Sequence, residues 1–506
     1  MELLIARKTI EVEHMIGENT LQTQVSAETA TPGAGREAIE VLMEEADISV
    51  DTAEAQTDRV VVEGTAFCQA VYRQGEGSAL RAVTAQVRFS EVVELEGVTP
   101  KAIVRVQGVI EEVEANYENG RMAFELIIAL RVQALSLDPV EVIHEIGGVE
   151  GLETRFDEVQ SSKTAAEASA GVTVREEVAL PEQLDARVSL MDWSQVRLNR
   201  VASDLGGMMV EGEVQAEALI GTGVLARPVA LVKVVMPFSQ LVELPEWLTN
   251  DVVTDAQVTR LVTEVAPGEN ADEAVLKLEA EVDIEVRADA KDTVRALVDA
   301  YATGENMVLC EAEPITVTTG SGCIDHSEAF RGTLLLPEGM PGVSTVLATR
   351  VRPVISQWSG ENGETFIEGA LDVKALYLPG GSEQMQCVRG ELPFQLRCTG
   401  IWPDNAWVRV VPSAAEAAAL MNDRLEIRCT LSLTGFYRNT QTIAIARDAE
   451  QAPAQKRASG LLIHWPEQGE TTWNIGKRYV LPIQKIADIS GEDGTLSPDQ
   501  PIVIRV

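Results

Sequence analysis

The stretch Val60-Val61-Val62-Glu63-Gly64-Thr65-Ala66-Phe67-Cys68-Gln69-Ala70-Val71-Tyr72 occurs three times in this chain, in variant form. It returns as Met209-Val210-Glu211-Gly212-Glu213-Val214-Gln215-Ala216-Glu217-Ala218-Leu219, and again as Phe366-Ile367-Glu368-Gly369-Ala370-Leu371-Asp372-Val373-Lys374-Ala375-Leu376-Tyr377. Each copy is rich in apolar and β-branched residues, and this composition predicts a strand.

A phenylalanine follows the repeated glycine at a nearly constant distance. Phe89, Phe238 and Phe394 lie 25, 26 and 25 residues after their glycines. This spacing predicts a second strand paired with the first, so that each unit contains at least a hairpin. We expect the three phenylalanines to lie in the core.

A larger repeat surrounds this hairpin. The glycines are 148 and 157 residues apart, and Pro32, Pro181 and Pro337 precede the three copies at intervals of 149 and 156 residues. Such a period is the size of a domain and much longer than a solenoid repeat. We therefore predict three tandem repeats, at 1–150, 171–290 and 303–447, each with its own core.

Other segments are predicted to be turns, helices or linkers. Between 291 and 302, apolar residues at Val294, Leu297, Val298 and Tyr301 have the spacing of an amphipathic helix. The other predicted segments are a turn at 17–19, a short helix at 36–45, a linker or short helix at 155–170, and a linker at 448–459.

The last part of the chain, 460–506, has a different pattern. Strand-like runs at 461–464 and 502–506 enclose two helical segments, the first capped by Thr471 or Thr472 and the second at 482–489. The predicted fold class is therefore mainly β, with three tandem β-sandwich-like repeats that contain minor helix, followed by a small βααβ module.

The composition excludes some classes of partner. The formal net charge is -38, which repels nucleic acid and anionic membrane surfaces, although a basic protein partner remains compatible. Six cysteines form no CxxC pair and no dense disulfide framework. No secretory signal and no apolar run long enough to span a membrane is apparent. We expect a cytosolic product with reduced thiols.

No constellation of residues predicts catalysis. The chain has no GxSxG, HExxH or GxxxxGK[ST] motif, and its four histidines are scattered. Cys323 and His326 are at most half of a metal site. We expect no enzyme, metal or cofactor. Before the repeated glycines, Glu63, Glu211 and Glu368 could mark a site, but a solvent-facing position on a half-buried strand is the better interpretation. The glycines Gly64, Gly212 and Gly369 then permit a bulge or a close backbone approach.

The segment Gln468-Gly469-Glu470-Thr471-Thr472-Trp473-Asn474-Ile475-Gly476-Lys477-Arg478-Tyr479 is similar to the start of a LysM domain. The resemblance implies a ligand-binding or docking site in this module. Its candidate residues are Gly469, Glu470, Thr471, Trp473, Lys477 and Arg478. Trp473 can be exposed for sugar stacking or buried as the anchor of a small core, and burial is favoured. The basic pair Lys477 and Arg478 can meet an acidic partner or be solvated at the helix C-terminus.

The triplicated unit, with its proline, its [VI]-E-G strand and its phenylalanine-bearing strand, resembles the SPOCS domain of endospore-forming Firmicutes. Three such units before a LysM-like module resemble the spore coat and spore envelope morphogenetic proteins. The resemblance implies a non-catalytic scaffold in the mother-cell cytoplasm that assembles at the forespore surface through its repeats. Its partners would be coat proteins and other copies of itself, with the LysM-like module used for docking. A peptidoglycan-binding protein that recognises N-acetylglucosamine is the alternative.

Overall fold

The computed structural model describes residues 2–31, 39–75, 80–224, 226–248, 251–268, 273–304, 306–382, 384–403, 405–421, 423–453, 460–487, 496 and 501–505. Most of these residues lie in β-strands, and eighteen of the strands fall into three sets of six. The first repeat contains β1 (Leu4–Ala30), β2 (Ile39–Gln56), β3 (Arg59–Gln74), β4 (Leu80–Glu94), β5 (Ile103–Glu118) and β6 (Arg121–Gly147). The second contains β7 (Leu152–Leu180), β8 (Ala186–Asp204), β9 (Gly207–Thr222), β10 (Val229–Glu243), β11 (Val252–Pro267) and β12 (Ala274–Ala302). The third contains β13 (Asn306–Leu335), β14 (Val343–Glu361), β15 (Glu364–Pro379), β16 (Gln386–Thr399), β17 (Trp407–Met421) and β18 (Arg424–Pro453).

All three repeats have the same topology. Strands two, three and four form one antiparallel sheet with the third strand in the centre, and strands one, six and five form another with the sixth strand in the centre. The inward faces of the two sheets enclose one hydrophobic core in each repeat. Because the strands alternate between apolar and charged residues, the opposite faces of the sheets are largely polar. The strands and sheets confirm the prediction of a mainly β protein.

The repeated glycine and phenylalanine are direct cross-strand partners in every repeat. Gly64 lies opposite Phe89, and the same pairing joins Gly212 to Phe238 and Gly369 to Phe394. A Cβ atom on Gly64 would lie 2.4 Å from Cζ of Phe89 and 2.5 Å from the carbonyl oxygen of Ser49. The glycine therefore leaves the space into which the aromatic ring folds, and the three phenylalanines are buried as expected.

The second strands of the three repeats share two β-bulges, and β8 and β14 each have a third near their start. One lies opposite the Glu-Gly pair, between Val50 and Thr52 in β2, and its equivalents recur in β8 and β14. The other, nine residues earlier, places an extra leucine in the strand at Leu42, Leu190 and Leu347. A bulge interrupts the alternation of faces, so adjacent residues can be buried on the same side of the sheet.

Residues at these bulges form, with residues of the neighbouring strands, a core that all three repeats share. Its buried members are Leu42, Met43 and Val71 of the first repeat, Leu190, Met191, Trp193, Leu219 and Val229 of the second, and Ala348, Leu376, Leu378 and Met385 of the third. A second shared cluster joins the long first and sixth strands, with Ile10, Val12, Val142, Val159, Val294, Ala296, Val317 and Ile445. The repeats therefore pack around one another as an intramolecular trimer.

Two predicted interruptions are wrong because the long strands run through them. Residues 155–170, predicted to be a linker or a short helix, lie in β7, and the predicted helix 291–302 lies in β12. The helical spacing of Val294, Leu297 and Val298 arises from a bulge between Leu297 and Asp299, together with burial on both faces of the strand. The six-stranded units consequently extend beyond the predicted bounds 171–290 and 303–447.

Three smaller predictions also differ from the structure. Residues 17–19 form no turn, because β1 continues through them after a bulge between Met15 and Gly17. Residues 39–45 of the predicted helix 36–45 lie in β2, and residues 448–453 of the predicted linker 448–459 lie in β18. The remaining parts of these two segments, 36–38 and 454–459, lie outside the described residues. So does Pro32, the proline that precedes the first copy of the repeat.

The C-terminal part contains β19 (Leu461–His464), α1 (Thr472–Tyr479), α2 (Gln484–Ala487) and β20 (Ile502–Arg505). The two strands pair antiparallel, and a small core of Ile475, Leu481, Ile486, Leu496 and Ile502 lies beneath them. Residues 460–506 are called the C-terminal module below.

We predict that Gly64→Ala lowers the free energy of unfolding by about 1–3 kcal/mol, because the added methyl group overpacks the site beside Phe89 and Ser49. Denaturant unfolding monitored by circular dichroism measures this change. Gly320→Ala is the matched control, since Gly320 also lies in a strand and nothing lies within 4 Å of its added Cβ. Gly64→Ala should cost less in a Phe89→Ala background than in the native chain, because the ring is gone, but it should still cost something because the Ser49 carbonyl stays in place. Equal stability of both glycine variants would contradict the proposed role of the pair.

Candidate functional site

The candidate residues of the C-terminal module lie at the start of helix α1 and along it. Thr471 caps the helix by accepting a hydrogen bond from the amide of Asn474, and the side chain of Asn474 accepts one from the amide of Thr471 in return. Gly469 has φ of 82°, a conformation that favours glycine, and turns the chain into the cap. The local sequence therefore explains why the helix begins at Thr472.

Glu470 is buried and serves the module internally. Its carboxylate lies 2.7 Å from Nε2 of His464 and 2.8 Å from Nη1 of Arg478, and it accepts a hydrogen bond from the amide of Glu467. Burial raises the pKa of Glu470, but these partners together lower it below its ordinary value of 4.5. Glu470 thus joins β19, the following turn and α1 as a structural carboxylate.

Trp473 and Lys477 point from α1 to the second repeat. Both contact the carboxylate of Asp299 in β12: Nε1 of Trp473 donates at 2.8 Å, and Nζ of Lys477 lies 2.6 Å away. The ring of Trp473 packs edge-on against Tyr301 at 5.0 Å and is 8% exposed. Trp473 is therefore buried as predicted, but against the second repeat and not as a member of the module's own core.

Tyr301 completes this contact. Its hydroxyl donates a hydrogen bond of 2.8 Å to the carbonyl oxygen of Leu481. A Cβ atom on Gly476 would lie 2.3 Å from the same hydroxyl, so the glycine in the helix is required for the close approach. Further along, the amide of Ile483 donates to Glu153 at the start of β7. The module is therefore held against one end of the second repeat.

The glutamates of the repeated motif are not brought together. Glu63 is exposed, and its nearest polar partner is Thr52 in the neighbouring strand. Glu368 accepts hydrogen bonds of 2.8 Å from Gln357 and Gln395, on the two strands beside it. Each glutamate lies in its own repeat, and these cross-strand contacts assign them to the sheet surface.

A buried ionic cluster between the first and third repeats was missed by sequence reasoning. Glu44 and Glu45 in β2 are almost fully buried, and Nζ of Lys374 lies 3.1 Å from the first and 3.8 Å from the second. Arg389 also pairs with Glu44, and Arg352 with Glu45. The sequence feature that could have predicted this cluster is the pair of adjacent glutamates directly after the apolar run 41–43. Adjacent residues of a strand lie on opposite faces, so a strand with one buried face can expose only one of the two glutamates to water.

The corresponding polar contact between the first and second repeats pairs an uncharged side chain, Gln69, with an aspartate, Asp192. Gln69 donates to the backbone oxygen and side chain of Asp192 and accepts a hydrogen bond from its amide. Each interface thus has its own polar partners. Because an unpaired buried carboxylate is costly, these partners favour one order of the repeats around the shared core.

A second polar group lies where all three repeats meet. Arg438 of the third repeat pairs with Glu13 of the first at 3.1 Å and with Asp289 of the second. Thr164 and Thr318 complete it with hydrogen bonds to Glu13. All five residues are buried. The pattern of β-strand residues gave no sign that these distant positions would meet.

The thiols and histidines form no recognisable reactive centre among the described residues. Burial raises the pKa of the Cys68 thiol to about 12 and those of Cys387, Cys398 and Cys429 to about 11, which disfavours thiolate chemistry. In the same part of the chain, no group of three or more His, Cys, Asp or Glu side chains could hold a metal ion. None of the helices described is long and apolar enough to cross a membrane.

Residues 37–118 match the family model described as SipL, SPOCS domain. The matched segment runs from the start of the second strand of the first repeat to the end of its fifth strand. No curated protein and no solved structure matches the chain. The match indicates a sporulation-related protein with a SPOCS-like first repeat.

We predict that Asp299→Ala loosens the C-terminal module, because it removes the shared acceptor of Trp473 and Lys477. Hydrogen–deuterium exchange over 472–479 should show a free energy of opening that is lower by about 1.5–3 kcal/mol, as expected for hydrogen bonds to a charged group. Asp292→Ala is the control, since Asp292 lies in the same strand but pairs with Lys8 at the surface of the first repeat. If both variants exchange alike, the contact does not hold the module.

We predict that the module also loosens in acid. Since the folded pKa of Glu470 is lowered, its contribution to stability is complete above about pH 4.5, the unfolded value, and is lost as the pH falls through the folded value. Exchange of helix α1 between pH 6 and pH 3 measures the effect. Glu470→Gln should flatten the pH dependence, whereas Glu467→Gln should preserve it because Glu467 contributes its backbone amide.

Proposed function

We propose that this protein is a non-catalytic scaffold of the spore envelope. The observation that carries the proposal is the match of residues 37–118 to the SPOCS domain, in a chain that repeats the same six-stranded unit twice more. The fused trimer is suited to such a role because each repeat presents a largely polar outer sheet face, while the shared cores fix the three faces relative to one another. Its partners are other proteins of the spore envelope, at the forespore surface.

The C-terminal module, which resembles a LysM domain, is the proposed docking element. Helix α1 faces the second repeat, so a partner must use another side of the module. On β19 and β20, Ile463 and Val503 lie opposite each other and are 65% and 60% exposed, and Leu461 and Trp465 extend the same apolar surface. An exposed apolar patch of this kind is typical of a protein-binding surface.

Peptidoglycan binding, the alternative, draws no support from the candidate side chains. Trp473 and Lys477 contact Asp299, and Glu470 is occupied by His464 and Arg478. A sugar at these residues would have to displace internal contacts. We therefore expect the purified protein to stay in the supernatant when insoluble cortex peptidoglycan is sedimented. Sedimentation with the cortex that N-acetylglucosamine oligomers reverse would favour the alternative.

The test of the scaffold uses the endospore-forming bacterium that encodes the protein. Deletion of the gene should leave the spore coat misassembled around the forespore, as judged by electron microscopy of sporulating cells. Complementation with the native chain should restore assembly, and a fluorescent fusion should encircle the forespore. The double variant Ile463→Ser/Trp465→Ser should remove that localisation without unfolding the protein, because both side chains are exposed.

The matched control is Val235→Ser/Trp247→Ser, which removes two equally exposed apolar side chains from the second repeat. It should localise as the native chain does. A normal envelope in the deletion strain would contradict the scaffold, whereas normal localisation of the module variant would contradict docking through β19 and β20 alone.

A further inference from the structure

A cleft lies at the surface where the three repeats meet. Each repeat contributes to its lining: Arg105 from β5, Asp255 and Arg287 from the second repeat, and Trp407, Arg409 and Phe436 from the third. Its cavity volume is about 60 Å³, enough for a group of a few atoms but not for an extended polymer. Because no single repeat could form it, this cleft is a property of the assembled chain.

Arg105 is the unusual member of the lining. It is 4% exposed, its Nε has no hydrogen-bond partner, and no carboxylate among the described residues forms an ion pair with it. Its guanidinium lies over the ring of Phe436 at 5.1 Å, and the guanidinium of Arg287 lies over the same ring at 5.4 Å. A buried cation beside a second cation is costly unless an anion compensates it.

The other arginines of the cleft already have their anions. Arg287 lies 3.2 Å from Glu167 and 3.1 Å from Glu285, and Arg409 lies 3.2 Å from Asp255. Burial, together with the charges of Arg287 and Arg438, lowers the pKa of Arg105 to about 10 against the opposing effect of Glu13 and Glu167, and Arg105 is still protonated at neutral pH. The cleft therefore contains one guanidinium charge that no direct contact balances.

We propose that this cleft binds a single carboxylate group through the guanidinium of Arg105. A planar guanidinium matches the two oxygens of a carboxylate, and Phe436 and Trp407 provide apolar walls for the carbon that carries it. Asp255 and Glu285, together with Asp283, also line the cleft, and they disfavour anions with more than one charge. The inference is independent of the role in sporulation, since it rests on the contacts of Arg105.

The test is calorimetric titration of the full-length protein with sodium acetate, at an ionic strength held constant with chloride. One saturable site with a Kd on the order of 1 mM is expected for so small a ligand. Arg105→Gln should weaken binding by at least about tenfold, because it removes the charged donor of the site. Inorganic phosphate, which carries more charge, should bind more weakly than acetate.

The control is the double variant Arg121→Gln/Glu28→Gln, which removes an exposed arginine of the first repeat, outside the cleft, together with its partner and leaves the net charge unchanged. It should bind acetate as the native protein does. Should Arg105→Gln fail to fold, the native protein alone decides: ¹⁵N spectra of arginine Nε–H groups should show a signal that shifts to saturation with acetate. An absence of saturable binding, equal weakening in the control, or preference for phosphate would each overturn the proposal.

Two further ligands identify the source of the carboxylate. N-acetylglutamate N-methylamide presents a protein-like side chain, and the glutamine analogue is its uncharged counterpart. Binding of the glutamate compound at least as tight as that of acetate assigns the site to an acidic residue of a protein. Binding of acetate alone assigns it to a small free carboxylate.

Discussion

The β-bulge is the constraint on which the rest of this structure depends. A regular strand presents one face to its own sandwich and the other to water, but the long strands here must also contribute to a core shared by three repeats. A bulge brings neighbouring residues to the same face, so that Leu42 and Met43 in β2 both enter the shared core. The same device at Leu190 and in β14 gives every repeat an equivalent apolar contact. Without these bulges, the second strands would contribute less apolar surface to the contact among the three repeats.

Local pairing was predictable from the sequence, and distant packing was not. The distance from Gly64 to Phe89 is fixed by one hairpin, so its recurrence correctly predicted that the two strands pair. The contact of Trp473 with Asp299 joins residues that are far apart in the chain, and periodicity carries no information about it. The small residues of β7 misled for a related reason. Ser161 and Ser162 suggest a linker, yet they are buried where the repeats approach one another closely.

In the C-terminal module, the local structure was predicted correctly but the partner of the candidate residues was not. Thr471 caps α1 and Trp473 is buried, as the sequence indicated. The orientation of α1 is set by its contacts with Tyr301 and Asp299. These two residues belong to the second repeat, so the sequence of the module does not indicate the contact. The module is thereby tied to one of three similar repeats, and this contact breaks the equivalence of the three at that end of the molecule.

The centre of the molecule explains why a single chain serves better than three identical ones. In the first strands of the three repeats, Glu13, Ser162 and Thr318 occupy equivalent positions, six residues after Arg7, Phe156 and Ala312 at the β-bulge. In the sixth strands, Leu135, Asp289 and Arg438 are equivalent, because each lies nine residues before the bulged residue, which is His144, Val298 or Arg447. Three identical subunits would bring three identical side chains to each of these buried positions, and three buried glutamates or arginines would repel one another. In the fused chain, one arginine meets two carboxylates and two small hydroxyl side chains surround them. Covalent linkage thus permits complementary charges at a centre where symmetry would forbid them.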